Sequence, residues 1–429
     1  MVKVSSWGRL SAYQHDVRYL SSSQNLDKTG GSGIAIGMGR SYGDECLNPN
    51  GKLWNTTLLD NFISFDQTSG VLRCQAGVQL HAINQLTIPR GWMLAVTPGT
   101  QFVTVGGAVA NDVHGKNHHM YGSFGHHVLE LILQRTSGET IICSAISNKE
   151  WFEATIAGFG MTGIILEVTL QLKNVDGPWL DTETIPFSNL TDFYQISDAS
   201  EKEWEYTVSW IDCTCKAGIK GLFMRGNNAK GISKRLPKSK KLNVPFALPF
   251  SLVNQISLKP FNTLYYHLNC LKSKKQLTHY ESFFYPLDNI RNWNLIYGKK
   301  GFFQYQAVIP NQDRFDAIDA MLKQIAKVNM GSFLAVLKTF GDVKPAGLMS
   351  FPMQGATLAL DFSNGGERTL KLFSSLDAIV REAKGRIYLA KDARMPKDLF
   401  EAGYPRLQEF LAYRDIGMSS ALSRRLIGS

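Results

Sequence analysis

Apolar and polar positions along this chain follow two rhythms, and the places where one gives way to the other mark its elements. Val71 to Gly77 (VLRCQAG) alternates as a short strand that ends on a glycine. From Val78 to Ile88 the apolar positions Val78, Leu80, Ile83 and Leu86 take helical spacing and stop before Pro89-Arg90-Gly91. Val128 to Cys143 predicts a hairpin: an apolar run, a Ser137-Gly138 turn, then Thr140-Ile141-Ile142. Asn148 to Ile156 predicts a helix, Gly158 to Gly163 a turn, and Ile164 to Leu172 a half-buried strand. Near the end, RIYLAKDAR from Arg386 reads as a strand and Ser420 to Ile427 as a helix. Short strands mixed irregularly with helices point to α+β rather than a regular βαβ series.

Composition and charge sharpen this picture. With 44% hydrophobic residues among 429, the chain can bury a sizeable core. It has no run of ~18 apolar residues that would span a membrane. The first twenty residues mix Lys3, Arg9, His15, Asp16 and Arg18 and lack the apolar stretch of a secretory signal. Six scattered cysteines suit a reducing compartment, and Cys213-Thr214-Cys215 reads as two ordinary strand cysteines rather than a metal or redox pair. These features predict a cytoplasmic location, with the periplasmic face left open.

The charge is concentrated. Between Lys216 and Lys300 stand sixteen Lys/Arg against two acids, Glu281 and Asp288, a local +14 in a chain of net charge +10. Such a block predicts an anionic partner or, more simply, a solvated loop. The stretch near 230–243, including GISKRLPKSKKLN, has the makings of a mobile basic loop. After it comes VPFALPFSLVNQISLKPFNTLYYHL, apolar, aromatic and broken by Pro245, Pro249 and Pro260. Basic residues beside such a stretch suit a peripheral contact with an anionic membrane surface, or a lipid-bearing substrate; the plainer reading is a core segment. No nucleic-acid motif accompanies the charge, so no nucleic-acid partner is expected.

Two glycine runs carry the candidate chemistry. In GSGIAIGMGRSYGD, Gly37-x-Gly39 is followed by Gly43, one residue too far for a Rossmann fingerprint, and ECLNPNG beyond it is turn-like rather than helical. A glycine loop can still cradle phosphates through successive backbone N–H groups. The second run, PGTQFVTVGGAVANDVHGKNHHMYGSFG, holds six glycines and three histidines, with His126-His127 just after it. Two such loops joined by a strand and a helix imply a long ligand with distributed backbone contacts, such as FAD. The histidines raise the possibility of a zinc site. They share no defined face and have only Asp112 as an acidic neighbour, so no metal is expected.

GMGRSYGD, then PGT and VGGAVANDVHGKNHH with GSFG, then GFGMTGII resemble the vanillyl-alcohol-oxidase type of flavoprotein. More closely they resemble the decaprenylphosphoryl-β-D-ribose 2-oxidase family. FFYPLDNIRNWNLIYGKKGFFQYQAVIP, SFLAVLKTFG, MSFP and IYLAKDAR extend the likeness over most of the chain, most thinly from about Asp176 to Lys275. The resemblance implies an α+β, two-domain FAD-binding fold with an antiparallel-sheet substrate domain. Its parts would be an FAD-binding domain at 1–175, a substrate domain at 176–385, and a return of 386–429 to the first.

By the same resemblance FAD would be held by Ile36, Gly37, Met38, Gly39, Arg40, Ser41, Tyr42, Gly43 and Asp44 of the first loop. From the second would come Gly99, Thr104, Val105, Gly106, Gly107, Asn111, Asp112, Val113 and His114, with Ile165 and Tyr388 beyond. Relatives that tether FAD often carry a histidine in the first loop; Ser41-Tyr42 stands here, which implies noncovalent FAD. Catalytic roles would fall on Lys391, His114 and Tyr42, and substrate contacts on Lys116, Tyr297, Gln304, Gln306 and Lys338. Lys391 follows an apolar strand, where desolvation would lower its pKa and favour a base; the plainer reading is a surface lysine paired with Asp392. Lys338 and Lys116 could hold a substrate phosphate as point charges or simply lie in solvent.

Three departures bear on the substrate rather than on flavin chemistry: Thr357 and Ala359 where relatives carry asparagine and cysteine, Ala356 where they carry tryptophan, and a C-terminal segment without the usual Asp-Pro. The implied reaction is oxidation of the 2-hydroxyl of a polyprenyl-phosphate-linked pentose. A separate NADH-dependent short-chain reductase would complete an epimerisation. A soluble alditol or aldonolactone oxidase would share the FAD domain without needing the basic block.

Overall fold

The computed structural model describes residues 1–21, 32–214, 219–232, 241–271 and 275–428. Cys215 and most of the basic loop expected near 230–243 lie outside them. The N-terminal part is built on two sheets. Gly33–Ile36 and Ala12–Tyr19 flank Lys52–Asn55 in parallel, and Val2–Ser5 closes this four-stranded sheet in the antiparallel sense. The second sheet is antiparallel throughout, in the order Phe62–Asp66, Val71–Gln75, Ile164–Gln171, Val128–Gln134, Thr140–Ser144. The hairpin turns at Gly138, whose φ of +92° suits a residue without Cβ. Helices Leu80–Thr87 and Val105–Ala110 bury Leu80, Ile83, Val105, Ala108 and Val109 in one cluster with Leu72, Cys74, Val168 and Leu170 of this sheet. Each of the buried leucine, isoleucine and valine side chains contributes ~1.5–3 kcal/mol.

The remaining large element is an eight-stranded antiparallel sheet. Its order is Gln276–His279, Trp179–Phe187, Lys220–Asn228, Tyr206–Asp212, Ala335–Phe340, Gly355–Ser363, Phe302–Pro310, Arg386–Ile387. Side chains alternate between its two faces, so each central strand carries two different sets. One set, including Tyr305, Leu337, Leu358 and Leu360, joins a core with Ile318 and Met321 of helix Arg314–Lys327 and Leu372 and Phe373 of helix Glu367–Glu382. The other set, Gln304, Gln306, Val336, Lys338, Thr357 and Ala359, is turned towards the glycine loops. Register brings this set together: Gln306 stands opposite Ala359, and Lys338 opposite Thr357.

RIYLAKDAR is only in part a strand. Arg386 and Ile387 pair with Val308 and Ala307 at the sheet edge, after which Leu389–Lys391 form a tight turn. The turn lets the Ala390 carbonyl accept the Tyr42 N–H at 3.1 Å, tying this segment to the first glycine loop. The chain beyond packs on the N-terminal sheets: Met418 bridges Gly33, and Asp415 accepts from Arg135 and Thr136.

Candidate active site

Between the glycine loops and the polar face of the large sheet lies a cavity of about 800 Å³. The first loop leaves strand Gly33–Ile36 and reverses at Gly39, φ +60°. The second enters helix Val105–Ala110 through Thr104, whose hydroxyl accepts the Gly107 N–H at 3.2 Å. The loops touch where a Cβ on Gly37 would sit 2.4 Å from the Thr104 hydroxyl. At Gly99 a Cβ would meet nothing within 4 Å, and at Gly39 only Ile36, at 3.9 Å. Phe159, Gly160, Gly163 and Ile165 close the same wall. It is made largely of backbone, as a dinucleotide cradle requires.

On this wall Glu45 Oε2 and Asn111 Oδ1 are buried without a protein donor of good geometry, although the Asn111 side chain lies within hydrogen-bonding reach of the Glu45 carboxyl. Buried unsatisfied acceptors are uncommon and suit a bound polar group. Burial raises the Glu45 carboxyl to about 7 although the Ser41 hydroxyl donates to it, so near neutrality it can donate as well as accept. The open glycine cradle and these two orphaned atoms fit FAD.

The opposite wall is made of side chains. His114 is the junction: its Nδ1 lies 2.8 Å from Lys338 Nζ, and its Nε2 lies 3.0 Å from the Gln306 amide. Lys338 also donates to the Gly115 carbonyl at 2.7 Å. With the Gln306 NH2 group donating to Nε2, as it does to the Thr357 hydroxyl, Nδ1 carries the ring proton and meets Lys338 as a neutral amine; a charged Lys338 would put the proton on Nε2 and require the Gln306 amide oxygen there. Burial, then the neighbouring Lys338, hold the imidazole well below its usual pKa, so it is neutral. Rings of Phe340, Phe351 and Tyr388 pack around it at 5.0 to 5.7 Å.

Three lysines reach this region. Burial lowers Lys338 and Lys116 to about 7, and Lys391 to about 8, where Asp361 and then Glu45 hold it up. The reading of Lys391 as a surface lysine paired with Asp392 fails: Lys391 Nζ stands 3.8 Å from the centre of the Tyr42 ring, and Asp392 pairs with Arg425. The solvent reading of the other two lysines fails as well. Lys338 is 8% exposed, and Lys116 lies over the Phe283 ring while donating to the Phe283 carbonyl. Burial puts Tyr42 well above its usual pKa, so it is a neutral phenol that carries Lys391 on its face.

Several expected contacts belong behind the walls rather than on them. Asp112 accepts from the Ser123 and Ser350 hydroxyls and the Gly125 N–H, so its buried carboxylate is already saturated by protein donors. Asp44 is paired with Arg425, and a Cβ on Gly43 would strike the Asp392 carbonyl at 1.5 Å; both fasten the first loop to the C-terminal tail. Val105 is wholly buried under the five-stranded sheet. Tyr297, expected on the substrate, is buried and stacked on Phe302 at 4.1 Å. The other expected site residues, Met38, Arg40, Val113 and Tyr388 among them, line the cavity.

One functional group escaped sequence reasoning. Asp361, buried beneath Gln304 and raised to about 7, is the carboxyl that faces Lys391; it sits in an apolar strand, TLALDF, where an acid is itself a signal. Glu45 lies within the stretch Ile36 to Cys46 that the resemblance gives to FAD, and it lines the cavity. Among the described residues no cluster of His, Cys, Asp and Glu could hold a metal ion.

Comparison with known proteins extends this geometry. A family model described as an FAD binding domain matches residues 25–144. The decaprenylphosphoryl-beta-D-ribose oxidase of Mycolicibacterium smegmatis is 32% identical, over 99% of this chain and 97% of the relative. The L-gulonolactone oxidase of Scyliorhinus torazame is 26% identical over 32% of this chain, and a putative D-arabinono-1,4-lactone oxidase of Neurospora crassa 32% identical over 26%.

Proposed function

The chain belongs to the FAD-dependent oxidase family of decaprenylphosphoryl-β-D-ribose oxidase, and from that premise we propose that it oxidises the 2-hydroxyl of a polyprenyl-phosphate-linked pentose to the ketone. The observation that carries this reading is the polar face of the large sheet, where Gln304, Gln306 and Lys338, with Lys391 beside them, oppose the glycine loops across one cavity. When bound, FAD supplies the acceptor for the hydride that leaves the sugar carbon. The chain must then take the hydroxyl proton, orient the sugar and hold its phosphate.

Lys391 is the proton acceptor: near pH 8 a good fraction of it is neutral, and Asp361 and Glu45 stabilise the ammonium it becomes. His114, fixed as a neutral ring by Lys338 and Gln306, orients the hydroxyl. Lys338 and Lys116 are the phosphate ligands, and an arriving phosphate would raise both from their lowered values. Thr357 and Ala359 leave a smaller, less polar wall than an Asn/Cys pair would, which shapes the choice of sugar. Noncovalent FAD is supported at two candidate attachment points on the cavity: both His114 nitrogens are engaged, and burial keeps the Cys46 thiol protonated.

The keto-sugar would pass to a separate NADH-dependent short-chain reductase, giving net epimerisation. An alditol or aldonolactone oxidase is the second reading. The lactone oxidases that resemble this chain do so over only a quarter to a third of it. Turnover assays with polyprenyl-phosphoryl ribose, free alditols and aldonolactones separate the two. The lipid-linked sugar should be oxidised to a ketone that the reductase and NADH consume; turnover confined to free sugars would refute the proposal.

A further inference from the structure

Helix Gln255–Leu271 is built inside out. Its inward positions are Leu258, Asn262, Tyr265 and Asn269, and wholly buried Asn262 donates to Asp212 at 2.9 Å and to the Ser332 carbonyl. Its outward positions Phe261, Leu264, Leu268 and Leu271, spaced three and four apart, form one continuous exposed stripe. Leu264 is 60% exposed and Leu271 82%, and Ile256 in the first turn is 87% exposed. A helix of a globular domain ordinarily points its apolar stripe at the core. The core reading of this segment therefore holds for Val253 and Leu258, which are buried, and fails for the outward stripe.

The stretch before the helix continues the surface. Leu242, Phe246, Phe250 and Leu252 are all exposed, the two phenylalanines by 66% and 61%. Of the large hydrophobic side chains exposed among the described residues, nine lie between Leu242 and Leu271, too many in thirty residues for random scatter. This stretch is pinned rather than loose: Val244 N–H bonds to the Arg291 carbonyl, Leu252 N–H to that of Ile296, and Lys299 N–H to that of Leu248.

The charge around this surface is of one sign. Lys241, Lys259, Lys275, Arg291 and Lys299 are exposed beside it, and no Asp or Glu occurs between Lys216 and Tyr280. Exposed aromatic and leucine side chains rimmed by cations match the interfacial layer of an anionic bilayer, where rings enter the headgroup region and lysines meet lipid phosphates. No described helix is long and apolar enough to cross a membrane. Position gives the surface a purpose. Tyr265, on the inward side of the same helix, lines the active-site cavity with Lys241 and Arg291.

We propose that the outward face of helix Gln255–Leu271, with the segment from Leu242 to Leu252, docks the protein on an anionic lipid bilayer and sets the mouth of the cavity at its surface. The benefit of docking rests on the lipid-linked substrate proposed above, since a polyprenyl chain could then stay in the bilayer while its sugar enters the cavity. The docking itself does not depend on that substrate.

Flotation of the FAD-loaded protein tests it, using vesicles of phosphatidylcholine alone or with an equal part of phosphatidylglycerol, at low and high salt. Wild type should float with the anionic vesicles and be released by salt. L264S/L268S should float at least about tenfold less well while its turnover of a water-soluble, short-prenyl substrate is unchanged. Lys259→Glu, which leaves the apolar stripe intact, should weaken anionic binding by at least about fivefold. Wild type that ignores anionic vesicles, or L264S/L268S that floats as well as wild type, would overturn the proposal. So would self-association abolished by L264S/L268S, because a second copy would then be what covers the face. Failure to float with lipid-linked ribose still oxidised would sink the docking alone. Flotation with only free sugars oxidised would sink the substrate reading alone.

Discussion

One wall of the cavity is made of backbone and the other of side chains. The glycine loops present N–H groups, open Cα positions at Gly39 and Gly99, and few charges; what they bind is set by the path of the chain. The sheet face presents Gln304, Gln306, Lys338 and Thr357 from three strands, with His114 and Lys391 beside them, and its properties depend on how far burial moves each proton. The first wall suits a large cofactor held in many places. The second suits proton movement at a single point. Damage to the two walls should therefore separate into loss of cofactor and loss of chemistry.

The largest separation is expected at Lys391. Lys391→Met should retain FAD with an unchanged spectrum and slow anaerobic flavin reduction by about 100- to 10,000-fold. A variant that lost its FAD would instead place Lys391 on the cofactor wall. Next comes Lys338, whose pKa falls on folding from 10.5 to about 7. The unfolded chain then binds more protons than the folded one between those values, so the buried lysine destabilises the fold fully below pH 7 and less as pH rises to 10.5. Urea denaturation should show Lys338→Met gaining roughly 2–4 kcal/mol more, relative to wild type, at pH 6 than near pH 10.5. A pH-independent difference would mean that burial leaves the Lys338 pKa where it is in the unfolded chain.

On the backbone wall, Gly39→Val introduces a branched residue at φ +60° and a side chain into the cradle. FAD should be retained about 10- to 100-fold less tightly, measured as flavin content after gel filtration. Where FAD is bound, the reduction rate should be near normal. The smallest effect concerns Asp361, which holds the Lys391 pKa up. The rate of flavin reduction should rise with pH as Lys391 loses its proton around pH 8. In Asp361→Asn that rise should come about one pH unit earlier. A later rise would show that another group is the base.

The same division explains what could be read from the sequence. The glycine loops, the hairpin at 128–144 and helix Lys149–Thr155 are local features, carried by turn residues and periodicity within a dozen positions. The sheet face was not legible in that way. Gln306, Thr357 and Lys338 meet only because three strands distant in sequence share one register, and alternation alone does not say which face will be wet. Here the family resemblance supplied Gln304, Gln306 and Lys338 where pattern could not. It also placed Asp112, Asp44 and Tyr297 on the ligand, whereas Ser123, Arg425 and Phe302 already occupy them. Helix Gln255–Leu271 was obscured by Pro260, which sits within it. The strand expected through Lys391 ends at Ile387, where the turn of Leu389–Lys391 brings Ala390 to Tyr42.

The most direct test of the account is the absorption spectrum of the purified protein before and after acid precipitation, followed by anaerobic addition of polyprenyl-phosphoryl ribose to the native sample. The account predicts a flavin band near ~450 nm that moves to the acid supernatant and, in the native protein, bleaches on adding the lipid-linked sugar. Protein that carries no flavin and takes up none, or a flavin band that only free sugars bleach, would contradict it.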